Sequence, residues 1–215
     1  MKKSLIAALL LGATVLPALQ GCFPLVAAGV ATGVVAAVDR RSVGTQTEDE
    51  SIEWKASARV GEKLGDKAHV NFTSYNRKVL ISGEATSEEV KAEAERIVTA
   101  LPNVQEVYNE LAIGSPSSFS NRSNDSFITS KVKSRSVDNG KFNPFHLKVV
   151  TEAGITYLMG MFTQPEADAA INVARTTAGV KKVVNLIEII TPAKARELDV
   201  TQSKNNSKPA EVKNP

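Results

Sequence analysis

Cys22 is the chain's single cysteine, and the stretch before it is the one the rest of the chain follows from. It follows Leu19-Gln20-Gly21, which closes a basic start (Lys2, Lys3) and a mostly apolar run from Leu5 to Ala18. Charged end, apolar middle and small residues at the break are the order of a secretory signal. With no second cysteine the thiol has no internal disulfide to make. The plain reading of the residues is a signal peptide with a buried Cys nearby. A second group of residues suits binding. Phe127 lies beside Ile128, and adjacent helical residues point about 100° apart, so the two do not share one core face. Lys131, Lys133 and Arg135 follow within about two turns. An exposed apolar side chain among cations suits an anionic lipid surface, where each basic residue contributes about 1 kcal/mol. The plainer alternative is a solvated helix with a half-buried Phe.

Other chemistry is missing. His69 and His146 are far apart and have no Cys or carboxylate at metal-ligand spacing, so each reads as an ordinary strand-edge residue. No Ser/His/Asp or Cys/His set can be assembled, and no Gly-rich loop with a following Lys is present to cradle phosphate. Glu88 and Glu89 fall in a helix's first turn, where they favour the dipole. The basic residues are scattered, which argues against nucleic acid. The expectation is a binding protein without catalytic residues, metal or cofactor.

The elements that position these residues form an internal repeat. Val79-Leu80-Ile81-Ser82-Gly83-Glu84-Ala85-Thr86-Ser87-Glu88-Glu89 parallels Thr156-Tyr157-Leu158-Met159-Gly160-Met161-Phe162-Thr163-Gln164-Pro165-Glu166. Both read as an apolar strand, Gly, two residues, Thr, two residues, Glu. Thr86 and Thr163 are expected N-caps, with Glu89 and Glu166 completing capping boxes. Gly83 and Gly160 are placed where the strand turns toward the helix and a side chain would clash. Val90, Ala94, Ile97, Val98 and Leu101 form one apolar stripe, and Ala167, Ala170, Ile171, Ala174 and Ala178 a second of smaller residues. Gly179 is the expected stop of the second helix. Closing strands follow at Val104 to Ile113 and at Val180 to Ile189, both with the alternation of half-buried strands. Ahead of these lie a leading helix in each unit (Ile52, Ala56, Val60; Ile128, Val132) and a first strand. Tyr75-Asn76-Arg77 and Glu152-Ala153-Gly154 are the turns. The order per unit is helix, strand, strand, helix, strand.

The chain has 215 residues, and removal of the first 21 lowers the formal charge from +3 to +1. Residues 45–114 hold 8 basic and 13 acidic side chains and residues 124–192 hold 8 and 6, so the two units carry −5 and +2. Such asymmetry argues for different partners. Residues 22–44 form a membrane-proximal tether: the apolar run at 23–38 is shorter than the ~20 residues of a spanning helix, and Asp39-Arg40-Arg41-Ser42 is expected to end it in water. Residues 115–123 read as a linker and 193–215 as a disordered polar tail.

Leu19-Gln20-Gly21-Cys22 resembles the lipobox of bacterial lipoproteins, with Gln20 a less usual occupant of its position. The resemblance implies that residues 1–21 are cut away, that the Cys22 sulfur takes a diacylglycerol and that the new amine is acylated. It also implies an outer-membrane destination, because Phe23 stands where inner-membrane retention uses Asp. The repeated order, the Gly of the second strand and the closing Val-x-x-Val-x-Asn resemble the BON domain. The implied fold is α+β: two tandem αββαβ domains, each a three-stranded mixed sheet packed by two helices. The family is considered phospholipid-binding. In similar dual-BON lipoproteins the second unit's leading helix meets anionic phospholipid, which points to Phe127, Lys131, Lys133 and Arg135. The implied role is a periplasm-facing, outer-membrane-anchored protein that binds a lipid such as phosphatidylglycerol and supports membrane integrity, at division sites among others. The alternative is an adaptor whose acidic first unit docks an envelope protein, either an outer-membrane assembly factor or a regulator of peptidoglycan splitting.

Overall fold

The computed structural model describes residues 39–207, with side chains to 201. Cys22 and the apolar run at 23–38 lie outside the described residues. The first unit runs α1 (Val43–Leu64), β1 (Ala68–Tyr75), β2 (Lys78–Ala85), α2 (Glu88–Thr99), β3 (Glu106–Asn109) and β4 (Ala112–Ile113). The second runs α3 (Phe119–Asn139), β5 (Leu147–Glu152), β6 (Ile155–Phe162), α4 (Gln164–Arg175) and β7 (Lys182–Ile189), and α5 (Pro192–Ser207) follows. In each unit the first two strands pair antiparallel and the closing strand pairs parallel to the second, with orders β1-β2-β3 and β5-β6-β7. The mixed sheets and repeated order are as the sequence indicates.

Both leading helices carry a buried aspartate at the same place in the repeat, three residues before Ile52 and Ile128. Asp49 accepts from Ser74 Oγ (2.6 Å), Asn76 N (2.8 Å) and Arg77 N (2.7 Å), and Asp125 from Ala153 N and Gly154 N (2.9 Å each). The hairpin turns hold positive φ at Asn76, Arg77, Ala153 and Gly154, so their amides point away from the ladder, and the carboxylates satisfy them. Asp49→Ala should orphan buried donors and cost about 3 kcal/mol or more. That lowers Tm by roughly 6–12 °C at this size, read by calorimetry against wild type.

Several expectations need correction. Ser87, not Thr86, caps α2: its side chain accepts from Val90 N, 3.3 Å. Thr163 does cap α4, its N–H and Oγ donating to Glu166 Oε2 at 2.7 and 2.8 Å. That helix ends at Arg175 rather than at Gly179, leaving Ala178 exposed while Val173 joins the core. Residues 119–123, expected in the linker, form the first turn of α3 behind the Ser118 cap. Gly83 and Gly160 lie within strands and not at the turn toward the helix. A Cβ at Gly83 (φ +116) would sit 2.1 Å from His69 O on β1, and one at Gly160 2.5 Å from His146 O and 2.3 Å from the Phe162 ring.

The largest departures come at the chain's ends. Asp39 and Arg40 are buried, not in water. Arg40 donates to Met161 O (2.8 Å), to both Glu166 oxygens (3.0 Å each) and to Asp199 of α5 (2.9 and 3.2 Å). Burial opposes ionisation of Glu166, but the bonds from Arg40 and Thr163 outweigh it and hold the carboxyl below the usual carboxylate range. Arg41 bridges Asp39 and Asp49 and lies 4.1 Å over the Tyr75 ring. The segment expected to be a disordered tail is helical over Pro192–Ser207, with Ala195 buried and Leu198 packed against an apolar cluster.

That cluster joins the two units. Tyr75 and Leu80 meet Tyr157, Met159 and Met161, with Tyr108, Val150, Val184 and Leu186 around them. Each sheet thus buries one face against its own helices and the other against its counterpart. Asn71 to Glu152 (3.2 Å), Asn76 to Glu188 (3.1 Å) and Lys148 to Glu53 (3.0 Å) rim the contact. Burial, with Glu110 and Glu152 nearby, pushes the Tyr157 phenol up to about 12.

Candidate functional site

The anchor of the candidate site is α3. Asp125, Ile128, Val132 and Ser136 turn inward at i, i+3, i+7 and i+11, which leaves Phe127 outside the core and 61% exposed. Lys131, one turn on, places Nζ 4.8 Å over the Phe127 ring. The same Nζ donates to Ala178 O, and Arg135 donates to Val173 O (3.1 Å), Thr177 Oγ1 (2.8 Å) and Thr176 Oγ1 (3.0 Å). Both cations therefore sit at the C-terminal end of α4, where exposed carbonyls and the helix dipole favour positive charge. Each has a structural role as well as an outward face. Lys133 lies on another flank of α3, beside Val137 and Phe145. The structure thus brings Phe127, Lys131 and Arg135 together and sets Lys133 apart.

Three further cations join this end of the molecule. Arg175 closes α4, and exposed Lys181 and Lys182 follow Gly179, whose backbone lies against Ile128 and Lys131. Arg175, Lys181 and Lys182 line one shallow depression there. The sequence held their signal in the Lys181-Lys182 pair after Gly179, but only folding brings that loop to α3. The first unit differs. Its most exposed aromatic is Trp54, 73% exposed on α1, with Glu50 one turn before it.

Comparison with known proteins decides the family. The BON domain model matches residues 49–115 and again 124–191. The chain belongs to the BON-domain family. It is 38% identical over 185 residues to the outer membrane lipoprotein DolP of Haemophilus influenzae, covering 85% of this chain and 95% of that protein. It is 35% identical over 155 residues to a 21 kDa hemolysin of Actinobacillus pleuropneumoniae, covering 71% and 80%. It is 25% identical over 147 residues to the osmotically-inducible protein Y of Escherichia coli K12, covering 66% and 73%. Two BON domains and the extent of the first match make this a dual-BON outer-membrane lipoprotein, and its BON relatives point to a non-enzymatic role.

Proposed function

We propose that the protein, anchored through lipid on Cys22, binds anionic phospholipid with the end of its second BON domain that carries Phe127. The observation that carries this is the exposed Phe127 ring with Lys131 over it and Arg135 one turn beyond, while Arg175, Lys181 and Lys182 line a depression next to Gly179, which lies against Lys131. Inserting the ring removes apolar surface from water, and the cations meet phosphate. The 17 residues from Cys22 to Asp39 reach at most about 60 Å when extended, enough to lay this face on the membrane that holds the anchor. The acidic first unit is repelled by the same headgroups. We read the biological role as support of outer-membrane integrity from the periplasmic face, including at division sites.

Residues 39–207, unlipidated, should co-sediment with vesicles containing phosphatidylglycerol and not with pure phosphatidylcholine. Binding should weaken as salt rises, since exposed charges are screened over about 8 Å at physiological ionic strength. Equal binding to both vesicle types would overturn the reading. A second reading, docking of an envelope protein on the first unit, is favoured by exposed Trp54, because Trp is enriched among residues that dominate protein interfaces.

A further inference from the structure

The closing strands of the two units carry the same asparagine and surround it differently. Asn109 and Asn185 each end the repeated Val-x-x-Val-x-Asn. Each stands two residues after a valine packed on its unit's core, Val107 or Val183, and so shares the helix-covered face of its sheet. Each accepts on Oδ1 from the amide two residues on, Leu111 N at 3.4 Å and Ile187 N at 3.1 Å. The side-chain NH₂ is left to find an acceptor. In the first unit it does: Asn109 Nδ2 donates to Lys91 O (2.9 Å) and to the Glu95 carboxylate (3.0 Å). In the second, no acceptor meets Asn185 Nδ2 among the described residues.

Asn185 instead opens on the depression that holds Arg175, Lys181 and Lys182, about 350 Å³ in volume. No lining residue is acidic, and among the described residues none of the three cations has a carboxylate partner. Lys181 is held in place. Its stem lies so close to Gly154 that a Cβ there would come 2.8 Å from Cδ. Its Nζ donates to Ala153 O (3.3 Å), which leaves two N–H groups for another acceptor. The floor is apolar, formed by half-buried Ile171, Val180 and Val183. Like charges gathered without a counter-charge repel one another, and an anion among them relieves that repulsion.

We propose that this depression binds a phosphomonoester, a terminal phosphate carried by a lipid headgroup or by a small molecule. The donors decide the class. The guanidinium fork of Arg175, two ammonium groups and the Asn185 amide are enough to meet three oxygens at once. A phosphodiester shows two free oxygens and a single charge. A monoester shows three strong acceptors and roughly −1.5 to −2 of charge near neutral pH. The site therefore holds the monoester more strongly. The first unit has no such site, because Glu95 already supplies the carboxylate that Asn109 bonds. The inference goes beyond the diester headgroup of the proposed function and does not rest on Phe127.

The test measures residues 39–207 on phosphatidylcholine vesicles carrying either phosphatidic acid, a monoester, or phosphatidylglycerol, a diester, matched for surface charge. The ratio of the two affinities cancels general attraction to negative surfaces. It should favour phosphatidic acid by about tenfold, or ~1.4 kcal/mol. Asn185→Asp keeps the acceptor for Ile187 N and puts a carboxylate among the cations, as Glu95 stands beside Asn109 in the first unit. The preference should vanish in that variant with an unchanged circular dichroism spectrum, and Arg175→Ala should lower it. Phe127→Glu should weaken both lipids and keep the wild-type ratio, so failure of the Phe127 assignment is read separately. A soluble arm titrates glycerol phosphate, a monoester, and glycerophosphoglycerol, a diester, into isotope-labelled protein followed by NMR. Shifts at Lys182 and Asn185 with the monoester alone, beside equal affinity for the two vesicle types, would support the site and make a free phosphate ester its ligand. Equal vesicle affinity without a selective shift overturns the proposal, as does a preference that survives both Asn185→Asp and Arg175→Ala.

Discussion

Gly83→Val is expected to abolish the folding of the first unit. A side chain there begins 2.1 Å from the carbonyl oxygen of His69, a backbone atom fixed by the β1–β2 ladder, and the residue keeps φ at +116. A β-branched residue is strained in that conformation even in open space. Relief would require separating the two strands whose inner faces carry Val79, Ile81 and Ala85. The cost should exceed about 4 kcal/mol, a large part of the 5–15 kcal/mol typical of a folded protein. Gly160→Val should be severe for a different reason. Its φ is ordinary, but its Cβ would meet the His146 carbonyl and the Phe162 ring, which is fully buried and packed edge-on against Phe142. Because the sheets share one apolar cluster, loss of either unit should expose that cluster in the other. Chemical denaturation should show destabilisation in both variants, greater for Gly83→Val. A wild-type midpoint in either would contradict the close strand approach.

Cys22→Ser is expected to move the protein from the membrane fraction to an uncleaved or soluble form. The hydroxyl does not replace the thiol as acceptor of the diacylglycerol. Each buried methylene contributes about 0.8 kcal/mol, so losing all acyl chains removes the anchor completely, whereas one chain alone would already be marginal. Growth with labelled fatty acid followed by fractionation reads this directly. Equal label in wild type and variant would place the lipid elsewhere.

The repeat was legible because its signals are local. Thr163 and Glu166 announce a helix start within four residues, and the stripe Val90, Ala94, Val98 is visible at helical spacing. What escaped depends on contacts far apart in sequence. Polar α5 looks like a solvated tail until Asp199 meets Arg40, 159 positions away, and Leu198 meets the cluster between the sheets. Arg40 looks like a solvated charge for the same reason. The contact between the sheets did leave a trace. Val79-Leu80-Ile81 and Tyr157-Leu158-Met159 are apolar at successive positions, which marks strands buried on both faces rather than one. Thr86 and Ser87 are both good caps, and residue type alone does not choose between them. In the candidate site, Phe127 and its cations could be read along one helix. Arg175, Lys181 and Lys182 could not, because they reach it only when α4 packs on α3.

The shared apolar cluster also fixes the form of the decisive experiment, since cutting the chain between the units would expose Leu80, Tyr157 and Met159. The two-unit body should be kept and single residues changed. Co-sedimentation of residues 39–207 with phosphatidylglycerol vesicles should be compared for wild type, Phe127→Glu and Trp54→Glu. Both substitutions remove an exposed aromatic and add one negative charge, but on opposite units. Phe127→Glu should bind at least about tenfold more weakly, from lost burial of the ring and repulsion by headgroups. Trp54→Glu should bind as wild type. Wild-type binding by Phe127→Glu, or a comparable loss in Trp54→Glu, would contradict the assignment of lipid recognition to the second BON domain.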